Sequence, residues 1–374
     1  MLKGVRLTLL MGPVVAVPVP REVVDALTSL QVTTAAGQRS GFQLTFTLSS
    51  KSVLNTLLLL LPQIGPTIRT IVILTVNGVP TVLMDGVITN QQVAPNVETG
   101  QSTLTVTGED LTAVMDLEDF TGLPYPAMPA EARVAVIVAK YAVFGMIPLV
   151  IPSLFIDVPI PTDRIPTHVG TDLAYINQLA RDAGYVFYVD PGPVAGTNTA
   201  YWGPDIKVGV PQPALNVDMD AFTNVESLSF TFDALSKTLP VVYIQNREAK
   251  VSIPIPIPDI SPLNPPLGVI PPFPAKVEFM EDTAKLSPAQ AVMLGLAEAA
   301  KTADAVTGTG TLDVLRYGRV LKARGLVGVR GAGQAYDGLY YVRSVTHNLK
   351  RGEYKQSFTL TRNALVSITP VVPA

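Results

Sequence analysis

A chain of 374 residues is long enough for two or three domains with cores of their own. Only 15% of its residues are charged, against roughly 25% in an average soluble domain, while 48% are hydrophobic and 33 are proline. The net charge is −3 with no basic block, so nucleic-acid or anionic-membrane binding has no electrostatic footprint, and the lack of cysteine excludes disulfides, thiolate metal sites and thiol nucleophiles. So few charges leave two readings open. Either a large core lies under an uncharged polar surface of Thr, Ser, Asn and Gln, or much of the surface is buried in neighbouring subunits.

The first block, residues 1–120, reads as strand. Pro13, Pro18 and Pro20 interrupt its apolar start, so a strand beginning at Val5 is expected rather than a secretion signal. Gln31–Thr34 and the alternating Gly41–Leu48 follow. Ser49 and Ser50 are N-cap candidates for a helix from Lys51 to Leu61, stopped by Pro62 and Gly65. Thr70–Val76 and Pro80–Asn90 flank Asn77-Gly78, a strong hairpin signal, and Ser102–Gly108 alternates again. This composition predicts a small barrel or a strongly curved sheet.

The second block, residues 121–215, reads as a small α/β domain. A helix is expected from a first-turn Pro129 to Phe144, with Gly145 as its stop and Val134, Ile137, Val138, Tyr141 and Phe144 as its apolar stripe. Lys140, Gly145 and Pro148 make the run from Val134 to Ile151 a buried helix rather than a membrane span, which needs about 20 apolar residues. A proline-broken stretch runs from Pro148 to Pro166. Thr171 then caps a second helix, Gly184 stops it, and an aromatic strand starts at once; Trp202 lies in the next strand.

The third block, residues 216–374, reads as a second barrel with a proline-rich and helical insertion at about 250–307. Val225–Phe232 and Pro240–Gln245 are its first strands. Ile253 to Pro274 favours extended chain over helix or central strand, and Ser287-Pro288 opens a helix to about Ala305. Strands are expected at Arg319–Val329, Leu339–Leu349 and Tyr354–Arg362. Apolar residues on both faces of Leu339–Leu349 suit a wall buried inside and touched from outside. The first and third blocks are alike in size, with no strict sequence repeat between them. The fold class is therefore α+β, mainly β: two barrels, a small α/β domain between them and an inserted arm.

No catalytic, cofactor-binding or metal-binding residue is assigned. His168 and His347 have no H-x-x-x-H spacing, no G-x-S-x-G occurs, and Gly331-Ala-Gly333 lies between strands as a turn. Asp218 and Asp220 lack the rest of a calcium loop. Glu118-Asp119 and Glu281-Asp282 become acid/base candidates only if a cleft gathers them.

Three ordered segments carry a resemblance. They are Thr171–Tyr188, Gly318–Gly325 with Gly338–His347, and Gly352–Arg362; Gly41–Phe46 also fits. Together they resemble the late-control-protein-D family, the baseplate hubs of contractile phage tails and injection systems, although Leu173 stands where that family commonly has tryptophan. The resemblance implies a structural protein and no enzyme. It implies two tube-like barrels per chain in a homotrimer that adapts a hexameric inner tube to a trimeric spike, within a virion tail or injection particle. Fused hub–spike proteins such as VgrG continue into a needle, whereas nothing follows Ala374, so a separate spike is expected. A cell-wall hydrolase carried by the particle, using Glu118, Asp119 or His347, and a tail-tube or plug subunit are the alternatives. The proline-rich segment is expected to clasp a neighbouring hub subunit or another baseplate protein.

Overall fold

The computed structural model describes residues 4–48, 52, 68–96, 101–153, 158–162, 165–246, 251–258, 265–281, 283, 288–369 and 372. Apart from Ser52, the helix expected between Lys51 and Leu61 lies outside the described residues. The first block contains strands β1 (Val5–Gly12) and β2 (Val17–Pro18), helix α1 (Arg21–Ala26), and strands β3 (Leu27–Ala35), β4 (Gly41–Leu48), β5 (Arg69–Val76), β6 (Val79–Asn96) and β7 (Gln101–Asp110). Period-two alternation sets the buried face: β4 buries Phe42, Leu44, Phe46 and Leu48. Asn77 and Gly78 both adopt left-handed backbone, φ 50° and 85°, as a two-residue hairpin turn requires. Asp110 ends β7 by accepting a hydrogen bond from Thr112 N–H and so caps the 3-10 turn Leu111–Asp116.

The small domain holds helix α2 (Ala130–Ala139), β8 (Met146–Val150), helix α3 (Asp172–Ala183), β9 (Val186–Pro191) and β10 (Asn198–Gly203). Its three strands lie in the order β8-β10-β9. Ile137, Val138, Ile176 and Trp202 share a core with Leu111 and Met115 from the end of the first block. Thr171 accepts from Ala174 N–H, and Gly184 ends α3 with φ 68°, both as expected. The helix expected to reach Phe144 stops at Ala139, and Pro129 is its N-cap rather than a first-turn residue. The cause is a competing tie. Lys140 Nζ lies 2.6 Å from Asp172 Oδ2, and the Tyr141 hydroxyl donates to that carboxylate at 2.8 Å. Residues 142–144 then tighten into a 3-10 turn, and Gly145 reverses the chain at φ 72°.

The third block continues with β11 (Gln212–Asn216), β12 (Val225–Phe232), β13 (Thr238–Asn246), β14 (Val251–Pro256), β15 (Gly268–Ile270), β16 (Lys276–Phe279) and helix α4 (Pro288–Thr302). It ends with β17 (Val306–Asp313), the one-turn helix α5 (Val314–Tyr317), β18 (Leu326–Arg330), β19 (Gly338–Lys350), β20 (Glu353–Arg362) and β21 (Leu365–Ser367). The insertion forms a three-stranded sheet, β14-β13-β16, with Val242, Ile257 and Ala291 in its core. Part of the expected extended run thus pairs as an edge strand, a pairing that composition does not show. Pro254 and Pro256 sit two apart on an edge strand, so their missing N–H groups point to the same side, away from the ladder. The expected strand at Arg319–Val329 starts only at Leu326 and ends at Arg330, because Arg324 turns left-handed at φ 61°. Tyr340, Tyr341, Val342 and Val345 are all buried. The outer cover on this strand is the chain's own: the Tyr341 hydroxyl donates to Asp205.

The two strand-rich blocks form one continuous sheet. Its path is β12-β17-β20-β19-β3-β4-β7-β6-β5-β1-β2, with β18 also on β19 and β11 on β18. One hydrophobic core runs under it, from Val5, Leu44 and Leu104 to Val306, Val345 and Leu360.

Candidate functional site

A duplication lies within this sheet. The first block runs β3-β4-β7-β6-β5, and the third runs β12-β17-β20-β19-β18. Both orders follow the chain in the same way, and all neighbours in both are antiparallel. Each unit has a bulge in the corresponding long strand, between Ile88 and Asn90 in β6 and between Val342 and Ser344 in β19. The insertion takes the place of the short β3–β4 connection.

Registers make the equivalence residue by residue. A second bulge marks the first strand of each unit, between Leu27 and Ser29 in β3 and between Val225 and Ser227 in β12. Aligned on both bulges, Val32 pairs with Phe42 and the counterparts Phe230 and Gly308 also pair. Leu44 pairs with Val106, and the counterparts Gly310 and Phe358 also pair. Bulk has moved across each pair. A Cβ on Gly308 would stand 2.7 Å from Phe230 Cε1, and one on Gly310 would stand 2.7 Å from Phe358 Cζ. The strand ends agree: in this register β7, Gln101–Asp110, and β20, Glu353–Arg362, coincide over their full length.

The units meet where β3 pairs with β19, Ser29–Ala35 against Ser344–Lys350. At the middle of this joint the Thr33 and Thr346 hydroxyls lie 3.1 Å apart. Arg324 pins one end. Its guanidinium donates to Ala35 O at 3.0 Å, stacks 4.1 Å from the Tyr188 ring centre and ion-pairs with Asp190. One side chain thus ties both units and the small domain. Arg69 makes a second tie. It is buried and donates to both Asp85 oxygens at 2.7 Å, to Phe144 O at 2.6 Å and to Gly196 O at 3.1 Å. Neither arginine stands out in the sequence; only their burial gives them a role.

The expected chemistry does not converge. His347 is buried in β19, with the Tyr354 hydroxyl 2.8 Å from Nδ1 and Gln356 Nε2 at 3.3 Å; burial pushes its pKa down to about 4. His168 is buried in the small domain, its ring centre 4.4 Å from that of Tyr175 and its Nε2 3.5 Å from Asp172 Oδ1. Burial lowers its pKa, against the opposing pull of Asp172. The two histidines thus belong to different cores. Glu118 and Asp119 are exposed, and Asp119 accepts from Thr121 N–H at 2.7 Å, which caps a turn. Asp218 and Asp220 are exposed turn residues with φ 50° and 48°. Glu281 is exposed, and Asp282 lies outside the described residues. Among the described residues no three His, Asp or Glu side chains are grouped as metal ligands, and no helix is long and apolar enough to cross a membrane. A cleft of about 370 Å³ opens at the foot of the joint, lined by Leu7, Leu27, Leu349, Asp25 and Arg351 among others; neither histidine reaches it.

No family model and no curated protein matches the sequence. Solved structures do match. A tail protein from Neisseria meningitidis MC58 is 14% identical, with a TM-score of 0.63 over 96% of this chain and 97% of that one. The fold is that of phage tail proteins. The 43 kDa tail protein of prophage MuSo2 from Shewanella oneidensis is 12% identical, with a TM-score of 0.64 over 96% of this chain and 99% of that one. The Escherichia coli c3393 protein is a type VI secretion component, described as similar in structure to the T4 tail proteins gp27 and gp5. It is 10% identical, with a TM-score of 0.54 over 92% of this chain and 77% of that one. The expected mainly-β architecture and the likeness to tail and injection-system proteins both hold at the level of fold.

Proposed function

We propose that this chain is a structural baseplate hub of a contractile tail or injection machine. Three copies form a ring that presents six equivalent sheet units to a hexameric inner tube and three insertions to a trimeric spike or its neighbours. The duplication carries this reading. Two units with the same strand order, side by side in one sheet, let a threefold ring imitate a sixfold one. The likeness to tail proteins and to a type VI secretion component supports the setting, a virion tail or injection particle. The role is mechanical: units joined by backbone ladders and buried arginines transmit force along the tube axis. Native mass spectrometry of the purified chain should give a trimer, and electron microscopy a ring with an open lumen that binds the tube protein. A chain that stays monomeric at micromolar concentration and binds neither tube nor spike protein overturns the proposal.

A further inference from the structure

The internal joint leaves one unmatched surface at each end of the duplication. In the joint, β19 is shared on one side by two strands. β18 covers Gly338–Tyr341, and β3 covers Ser344–Lys350. In the first unit β6 has the same plan, but only half of it is filled. β5 covers Val79–Val87, and among the described residues no strand covers Thr89–Asn96 on that side. Conversely β12, the counterpart of β3, pairs with β17 and has no strand on its other side among the described residues.

Exposure follows the same division. His347, at the joint, is 5% exposed, whereas its counterpart Val93 is 48% exposed. Leu30 and Val32 of β3 are buried, whereas Phe230 and Phe232 of β12 are only half-buried. The β12 edge is also unguarded. Val225–Phe232 carries no proline and a single charge, Glu226, while the β14 edge is blocked by Pro254 and Pro256. An open, alternating edge of this length is a template for another strand.

From these features we infer that the outer edge of β12 in one copy pairs with Thr89–Asn96 of β6 in the next copy, repeating the β3–β19 joint between chains. The inference rests on the ring reading and adds which strands close the ring. The pairing is antiparallel and head-to-tail, so two different surfaces meet at every contact and the assembly closes when the rotation allows. Carrying over the internal register places Thr231 opposite Gln92 and diagonal to Ala94 on one face; Thr231 and Ala94 are both exposed in the single chain.

Two measurements test it on the full chain. Val93→Lys puts a charge on the open half of β6, with Val210→Lys, at a 93% exposed position, as control. Val93→Lys should leave the melting temperature of the dissociated chain unchanged and weaken assembly by about tenfold or more, while the control assembles normally. Separately, chains carrying Ala94→Cys are mixed with chains carrying Thr231→Cys and treated with a short bismaleimide. The protein has no other cysteine, so a heterodimeric cross-link reports this contact alone. A ring that survives Val93→Lys and gives no cross-link overturns the strand assignment while leaving the ring intact. A wild-type chain that never assembles overturns both.

Discussion

The Phe230 ring lies across the strand pair from Gly308 and fills the space beside it, and a double-mutant cycle measures that coupling. Gly308→Leu alone forces a Cβ to 2.7 Å from Phe230 Cε1, where carbon contacts ordinarily settle at about 3.5–4.0 Å. Such overpacking costs about 1–3 kcal/mol. Phe230→Leu alone removes a ring stacked 5.1 Å from Tyr336 and 5.4 Å from Tyr340, each contact contributing about 0.5–1.5 kcal/mol. The double variant puts a leucine on each strand. The new leucine at 308 enters the space the ring has left, and the strand loses a glycine that costs roughly 0.5–1 kcal/mol. The two single losses sum to about 4 kcal/mol, and the double variant should lose only about 2 kcal/mol, a coupling of the size seen for touching residues. Guanidinium unfolding followed by tyrosine fluorescence reads the cycle. Additivity within about 0.5 kcal/mol would refute the reasoning that the ring fills the space over Gly308.

Further outcomes follow from the ties and the buried histidines. Arg69→Met leaves the Asp85 carboxylate buried with, among the described residues, only Asn198 Nδ2 beside it, at 2.9 Å, and should cost about 3–5 kcal/mol; pairing it with Asp85→Leu should recover most of that in thermal melts. Arg324→Ala removes the bond to Ala35 O and the stack on Tyr188, which should cost about 2 kcal/mol and speed amide exchange first at residues 29–35 and 344–350. His347 has a folded pKa of about 4, below its unfolded value of about 6.5, so the unfolded chain binds the extra proton. Stability is therefore complete above about pH 6.5 and falls as pH drops toward 4, by about 3 kcal/mol from this group. His347→Gln should flatten much of that slope in a pH series of melting temperatures, leaving the part that His168 contributes in the same direction. An unchanged slope in His347→Gln rejects the burial argument.

Local signals were legible in the sequence, and long-range ones were not. The cap at Thr171, the stop at Gly184 and the turn at Asn77-Gly78 depend on residues within a few positions, so they read directly. Strands β4 and β12 were legible to the residue because their alternation is unbroken. Helix α2 was overestimated because its end is set by Asp172, 32 positions from Lys140. The β14 strand was missed because proline density is a composition signal, whereas its spacing of two is a geometric one. The duplication was hidden for a similar reason. Bulk moves from one strand to its neighbour within a cross-strand pair, so Leu–Val in one unit and Gly–Phe in the other look unrelated until the register is known.

Fusion of two units in one chain also explains why an insertion at one β-turn position is useful. In a ring of six separate identical subunits, any added segment appears six times. Here the short link between β3 and β4 and the 233–305 stretch between β12 and β17 occupy equivalent positions, yet only the second is elaborated. In the proposed threefold ring the elaborated turn recurs three times at one end, while the sheet beneath remains sixfold in strand order. The elaboration exposes Ile253, Val269, Ile270, Phe273, Val277 and Phe279. In the proposed ring these side chains give the threefold feature an apolar face of its own. A deletion of 247–282 should separate the two roles. The duplicated sheet should still assemble, since neither β12 nor β6 is touched, but binding to a trimeric partner should fall; loss of assembly itself would show that the insertion closes the ring and β12 does not.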